Sequence, residues 1–316
     1  MRSFPACSRA AAGALVLLLL GGLAAWAQIV RTADVTVRGL RESDFPRLIP
    51  LAANVYAYED LNGDTGSNLA FTTNSLIVVT DDGVLVADGQ NSVEKTARLV
   101  ETVAGLTDQP IRWVVVCADH GDHINGNSAF PAGAEVIAHP TSAARLAAAG
   151  RGIRPATATV TDELVLTPGG VEVRILFLGR AHTGGDLMVH LPGSDVLFLR
   201  EAYFNRLYPS VGGGRTAYPI EWIDTLRRAE AIGAAVNVPG HGFVDRPDIL
   251  AEELVNFRRA LENLVAESRR LHADGVPVEN APRLANLGEF QYWYRAANNM
   301  PDAVRQTYLE LDGQLD

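Results

Sequence analysis

The chain has seven histidines, at positions 120, 123, 139, 182, 190, 241 and 272. Four of them fall in three short segments of one design: VVCADHGDHINGN at 115–127, LFLGRAHTGGD at 176–186 and VNVPGHG at 236–242. In each, an apolar run ends in a loop of glycines and small polar residues that carries the imidazole. A strand end followed by such a loop fixes a side chain on rigid scaffold and leaves room for an ion and water. His120, Asp122, His123, His182 and His241, gathered this way, would offer imidazoles and a carboxylate to Zn²⁺ or a similar first-row metal. His139, His190 and His272 read as structural, His190 inside a strand and His272 on a helix.

The elements that must position these residues follow from periodicity and turn signals. NVYAY at 54–58 alternates as a half-buried strand does, and NSLIVVT, DDG and VLVAD over 74–88 make strand, tight turn and strand. Ser92 offers an N-cap for a helix over 93–106, with Val93, Ala97, Val100 and Ala104 expected on one face. IRWVVV at 111–116 is a buried strand that leads into the first histidine segment. A strand at 135–139 and a small-residue helix near 141–149 come next, then hairpins over 163–179 and 186–199. A helix over 219–232, a short strand into His241 and a mainly helical remainder from about 248 complete the chain. Hairpins first, then alternation with helices, then hairpins again do not suit a doubly wound parallel sheet. They predict an α+β fold, mixed sheets with helices on their outer faces.

The first 27 residues are set apart. Arg2 and Arg9 precede an apolar run from Ala10 to Leu23, followed by Ala25-Trp26-Ala27. That is the layout of a secretory signal peptide cleaved after Ala27, so the protein is expected in the periplasm or secreted. The run is short and broken by Gly21 and Gly22, which disfavours a stable membrane span. Without this segment 25 basic residues face 37 acidic ones, a net charge of −12 that disfavours nucleic-acid binding. Cys117 is then the single cysteine, so no internal disulfide is expected. Residues 28–50 read as an irregular lead-in, 51–247 as the main domain, and 248–316 as a helical extension packed on it.

Over roughly residues 50–245 the chain resembles the metallo-β-lactamase superfamily. The resemblance rests on DDGVLVAD, most of an H-x-H-x-D-H loop, the G-x-x-H-T-x-G-D segment, a hairpin ending in an acid and the final P-G-H-G. It implies a four-layer αβ/βα sandwich. It also implies two metal positions, the first held by His120, His182 and residue 118, the second by Asp122, His123 and His241, with Glu201 bridging. Two departures touch the first position. Residue 118 is Ala where the family carries histidine, and Arg200-Glu201 stands where Gly-Asp is usual. Glu is one methylene longer and could lean toward the emptied corner. Cys117 and Asp119 are alternative donors, although alternation along the strand turns both away from the side that 118 and 120 share. Arg200 could set its guanidinium near Asp122 or a substrate carboxylate, or be a plain surface or salt-bridging residue.

The implied activity is that of an exported, zinc-dependent hydrolase, possessing one ion or two. In it, activated water attacks an ester, thioester, lactone or amide-type carbonyl of a small molecule, with Asp122 both ligating and orienting the nucleophile. The alternatives are a weakly active or non-catalytic metal-binding member, because of Ala118, a β-lactamase proper, and an iron oxidoreductase. Specificity is expected in loops 59–73 and 203–218, the second with Tyr208, Tyr218 and Gly212-Gly213-Gly214. EFQYWYRAANNM at 289–300 is read as core, a pocket cover or a dimer contact.

Overall fold

Alternation in the β-branched runs decides which surfaces the strands bury. Of NSLIVVT, Leu76 and Val78 enter one apolar cluster and Ile77 another; Val115 and Cys117 part from Val114 and Val116 in the same way. A period-2 side-chain pattern with both sets apolar requires cover on both faces of the sheet. The computed structural model, which describes residues 30–63, 65, 69–150, 152–211 and 216–315, supplies that cover. The segment read as a signal peptide and the run Gly212–Gly214 lie outside the described residues.

The first set of strands is β1 (Arg47–Ala52), β2 (Val55–Asn62), β3 (Phe71–Thr80), β4 (Gly83–Ala87), β5 (Ile111–Val116), β6 (Glu135–Ala138) and β7 (Ala158–Thr159). β1 to β4 pair antiparallel in sequence, and β4 to β7 run parallel. The second set is β8 (Glu163–Leu166), β9 (Val173–Phe177), β10 (Leu187–Leu191), β11 (Val196–Phe204) and β12 (Val236–His241). Here β8 to β11 pair antiparallel and β11 runs parallel to β12. One pair, His241 with Thr73, joins β12 to β3, so the twelve strands form one curled ladder of two mixed sheets.

Helices α1 (Val93–Leu106), α2 (Gly121–Ile124) and α3 (Pro140–Ala148) belong to the first half, and α4 (Pro219–Ile232) to the second. The C-terminal part adds α5 (Pro247–Ala273), α6 (Ala281–Leu284) and α7 (Ala296–Leu311). Leu99, Val103 and Leu146 join the outer face of the first sheet, whereas Trp222, Leu226, Phe257, Leu261 and Val304 join the cluster of the second. The fold is therefore α+β, in the layered αβ/βα arrangement. No helix among the described residues is long and apolar enough to cross a membrane.

Three details differ from the sequence reading. Ser92 does cap α1, accepting from the Lys95 amide at 3.2 Å, but the buried stripe is Thr96, Leu99 and Val103 and Val93 is exposed. Thr96 decides the register, because its hydroxyl accepts from the Gln90 amide beneath the helix. Arg47–Pro50, inside the stretch read as irregular, is the first part of β1. α7 begins five residues before Pro301, which sits inside it at the sixth position, past the four N–H groups that are free at a helix start, so the ring removes one helical hydrogen bond.

Candidate metal centre

β5 carries the chain into the first histidine segment, and two long-range hydrogen bonds hold it there. The Cys117 amide donates to Asp88 Oδ1 at 2.8 Å, and its carbonyl accepts from the Leu187 amide at 2.9 Å. His120 then opens the single turn α2, with φ −81° and ψ 154°, and its carbonyl accepts from the His123 and Ile124 amides. The turn places Asp122 and His123 on successive positions of one bend. Gly126 closes it against α1, where a Cβ would come within 1.9 Å of Thr96 Oγ1 and 2.2 Å of the Ser92 carbonyl.

His182 is set by a knot within its own segment. Thr183 donates to Asp186 through both its amide, at 2.6 Å, and its hydroxyl, at 2.8 Å. Behind the His182 ring stand Phe204 and Trp222, each with its centroid 5.5 Å away and edge-on. Thr216 Oγ1 lies 3.1 Å from His120 Nε2, and the His120 and His182 rings meet edge to face at 4.5 Å. His241 ends β12, with Nδ1 2.9 Å from the Thr72 carbonyl. That carbonyl accepts the Nδ1 proton and leaves Nε2 as the atom available to a metal. Gly242 follows at φ 80°, in contact with the Asn205 carbonyl, a place where no side chain fits.

Glu201 is delivered by a distortion of β11. The register with β12 slips on either side of Arg200, which has φ 52°. The left-handed backbone explains why glycine suits this place, since other residues bear about 1 kcal/mol of strain there. Arg200 is held by its Nε donating to Asp88 and by Nη1 donating to the Gly240 carbonyl at 3.1 Å. Its guanidinium thus goes to a buried carboxylate behind the site, as a salt-bridging residue, and not to Asp122 or the cleft.

The predicted donors converge in two groups that share Glu201: Asp122, His123, Glu201 and His241, and His120, His182 and Glu201. Glu201 Oε1 lies 2.6 Å from Nε2 of both His123 and His241, while Oε2 lies 2.6 Å from His182 Nδ1. Asp122 places one oxygen 3.3 Å from each of His123 and His241. Despite this closeness, His123 Nε2, His182 Nδ1 and Glu201 Oε1 are buried with no partner in hydrogen-bonding geometry. Buried polar atoms rarely stay unpaired, so convergent lone pairs of this kind fit a cation. Two imidazoles and two carboxylates suit a divalent first-row ion and balance its charge.

Electrostatics agree with that fit. Burial lowers His241, yet the charges of Glu201 and Asp122 outweigh it and raise the ring to about 9. His182 is also raised against burial, chiefly by Glu201. Glu201 is held well below the usual carboxylate range, the His241 and His182 charges overcoming its burial. His120 is pushed down to about 4, by burial first and then by His182. The positive charge that the carboxylates favour on the His241 ring thus stands where an ion would otherwise neutralise them.

Ala118 is fully buried and offers no donor. Cys117 lies in the apolar core, where burial pushes its thiol upward. Asp119 turns to Arg145, with Oδ1 3.5 Å from Nη1. Neither belongs to a donor group, as their alternation along the chain dictates. His139 caps α3, accepting from the Thr141 amide at 3.2 Å; His190 stays in β10 and His272 pairs with Asp312 on the surface.

In front of the donors lies a cleft of about 330 Å³ with Asn62, Phe71, Phe204, Leu207, Ser210 and Arg295 among its lining residues. Of the expected specificity loops, 59–62 and 71–73 are strand, so Asn62 and Phe71 stand at strand ends on the rim. Arg295, Asp88 and Thr216 were not singled out from the sequence. Asp88 closes a strand that carries an obvious signal; Arg295 lies over fifty residues beyond His241, and only tertiary packing brings it here.

The sequence profile of the metallo-beta-lactamase superfamily matches residues 69–241. A metallo-beta-lactamase type 2 of Bacillus cereus is 24% identical over 206 residues, which cover 65% of this chain and 79% of that protein. Its counterpart in Bacteroides fragilis is 24% identical over 238 residues, 75% of this chain and 93% of that protein. Among solved structures, a metallo-beta-lactamase from Pontibacter korlensis superposes with a TM-score of 0.59 at 21% identity, over 67% of this chain and 98% of the other. All the donors of both groups fall within the matched residues, and Arg295 falls outside them.

Proposed function

Because the chain belongs to the metallo-β-lactamase superfamily, we propose that it is an exported hydrolase using zinc at the Asp122, His123, Glu201 and His241 group. Membership supports metal-dependent hydrolysis in general. The observation that carries the reading for this chain is Glu201, which sets one oxygen 2.6 Å from ring nitrogens of each donor group, with Oε1, His123 Nε2 and His182 Nδ1 buried outside hydrogen-bonding geometry. Asp122, His123, Glu201 and His241 would hold such an ion, which would supply Lewis acidity and make water more acidic there.

The remaining chemistry falls to side chains. Asp122 is 22% exposed while His123, Glu201 and His241 are nearly closed off, so of the cleft-lining members of its group it is the most open. It orients the attacking water toward a bound carbonyl and accepts its proton. Phe71, Phe204 and Leu207 exclude solvent from the acyl group and strengthen these interactions. With Ala118 in place of an imidazole, the His120 and His182 pair depends on Glu201 Oε2 for a third donor. That supports one tightly held ion, with the second position weak or empty.

The substrate is a small ester, thioester, lactone or amide, a range that includes β-lactams because related proteins bear that name. A metal-binding protein without catalysis is the second reading, and Ala118 favours it. The test is metal content of the mature chain followed by turnover on aryl esters, lactones and β-lactams, with and without added Zn²⁺. We expect one equivalent of tight metal and zinc-stimulated hydrolysis. Tight metal without turnover on any class would favour the second reading; no tight metal would remove both. Export is tested by fractionation, with a mature N-terminus at Gln28 expected.

A further inference from the structure

Hydrolysis as described leaves one cation in the cleft without a task. Arg295 lines the cleft beside His120, Asp122 and Glu201. Its guanidinium carbon stands 5.0 Å from the centre of the Phe71 ring. Nε is buried and has no hydrogen-bond partner, and among the described residues no carboxylate forms an ion pair with this arginine. The side chain is half-buried, and a planar guanidinium fork on the cleft wall with no ion-pair partner suits an incoming oxyanion. Burial accordingly holds Arg295 below the usual arginine range, with Tyr294 and then Asp122 opposing that shift.

The segment bearing it is fixed. Tyr294 Oη donates to the Ala70 carbonyl at 2.8 Å, and the Tyr208 amide donates to the Tyr294 carbonyl at 3.0 Å. The Arg295 carbonyl accepts from the Asn298 and Asn299 amides at the start of α7, and Asn299 Nδ2 donates to the Tyr208 carbonyl at 2.9 Å. Arg295 itself has φ 61°, a left-handed conformation rare outside glycine and a form of strain that concentrates at functional sites. These bonds hold the backbone rigid where the side chain enters the cleft, unlike that of a free surface arginine.

We propose that Arg295 is a specificity-determining residue that binds an anionic group, selecting small acyl substrates with a carboxylate or sulfonate and an apolar body against Phe71, Phe204 and Leu207. The inference rests on the hydrolase reading only for the word substrate; the anion site stands on its own geometry. It also assigns the C-terminal part a direct share in the cleft.

The test separates binding from turnover. Calorimetry on the zinc-loaded protein compares 3-phenylpropane-1-sulfonate, a weak metal ligand, with 3-phenylpropan-1-ol, for wild type, Arg295→Met and Arg295→Lys. Wild type should favour the sulfonate by about 10-fold or more, Arg295→Met should lose that preference, and Arg295→Lys should keep part of it. Matched aryl esters with and without a carboxylate then give kcat and KM. Arg295→Met should raise KM for the anionic ester by about 10-fold more than for the neutral one. Sulfonate binding that depends on Arg295 without hydrolysis of either ester would support the anion site and remove the hydrolase. Hydrolysis of both esters, with neither sulfonate preference nor KM responding to Arg295→Met, would overturn the anion site and leave the hydrolase.

Discussion

Arg200 donates through Nε to Asp88, and both side chains are wholly buried behind the two convergent donor groups. Asp88 also accepts from the Cys117 amide and Arg200 donates to the Gly240 carbonyl, so one ion pair ties the ends of β4 and β5 to the distorted middle of β11 and to β12. Every donor of the two groups except His182 lies on, or directly after, the last three of these strands. Breaking a buried pair by removing one partner leaves an uncompensated charge, at a cost of about 3–5 kcal/mol.

Arg200→Met and Asp88→Leu should each destabilise the zinc-free protein by roughly that amount. The double variant should lose less than the sum of the two, because no lone charge remains. Urea unfolding of the three variants measures this. Strictly additive losses would show that the two residues act independently.

Glu201→Gln keeps the size of the side chain and removes the charge shared by the two donor groups. Zinc affinity should fall by about 100-fold or more, since a neutral amide oxygen replaces a carboxylate in a largely buried site. Competition with a chromophoric chelator checks the affinity, and circular dichroism checks that the fold is intact.

The pH dependence follows from His241. Its pKa of about 9 in the metal-free fold lies above the ordinary value of about 6.5. Stability from this proton is fully present below about pH 6.5 and is lost as the pH rises through about 9. The melting temperature of metal-free protein should therefore decline over that window. Zinc takes the place of the proton, so the loaded protein should not show this decline. Zinc uptake near pH 7.5 should release about one proton from this ring, read by calorimetry in buffers of different ionisation enthalpy.

Ala118→His adds the imidazole that the His120 and His182 pair lacks. Ala118 is fully buried, so the larger ring should cost about 1–3 kcal/mol in the metal-free state. Metal content should rise toward two ions per chain, measured by elemental analysis. Unchanged metal content at intact fold would mean that the first position is closed by more than the missing ligand.

Much of this was legible in the chain because the signals are local. VVCADHGDHINGN, LFLGRAHTGGD and VNVPGHG each place a histidine just after a β-branched or apolar run, and that geometry survives folding. Strand directions at Cys117 and Asp119 were legible for the same reason, since alternation needs no tertiary knowledge. Tertiary partners were not. The buried stripe of α1 centres on Leu99 because Thr96 is anchored by Gln90, a contact no periodicity encodes. Arg200 reads as a surface or substrate-facing residue until Asp88, 112 positions earlier, is placed beside it. Arg295 reads as one arginine among many until α7 and Tyr294 set it over Phe71.

The central claim is that Glu201 completes a metal centre at Asp122, His123 and His241 despite the alanine at 118. Zinc titration of the metal-free protein, in competition with a chelator, tests it most directly. One tight equivalent per chain in the wild type, lost in Glu201→Gln, is the result this account predicts. Less than one tight equivalent, or the same affinity in both proteins, would contradict it.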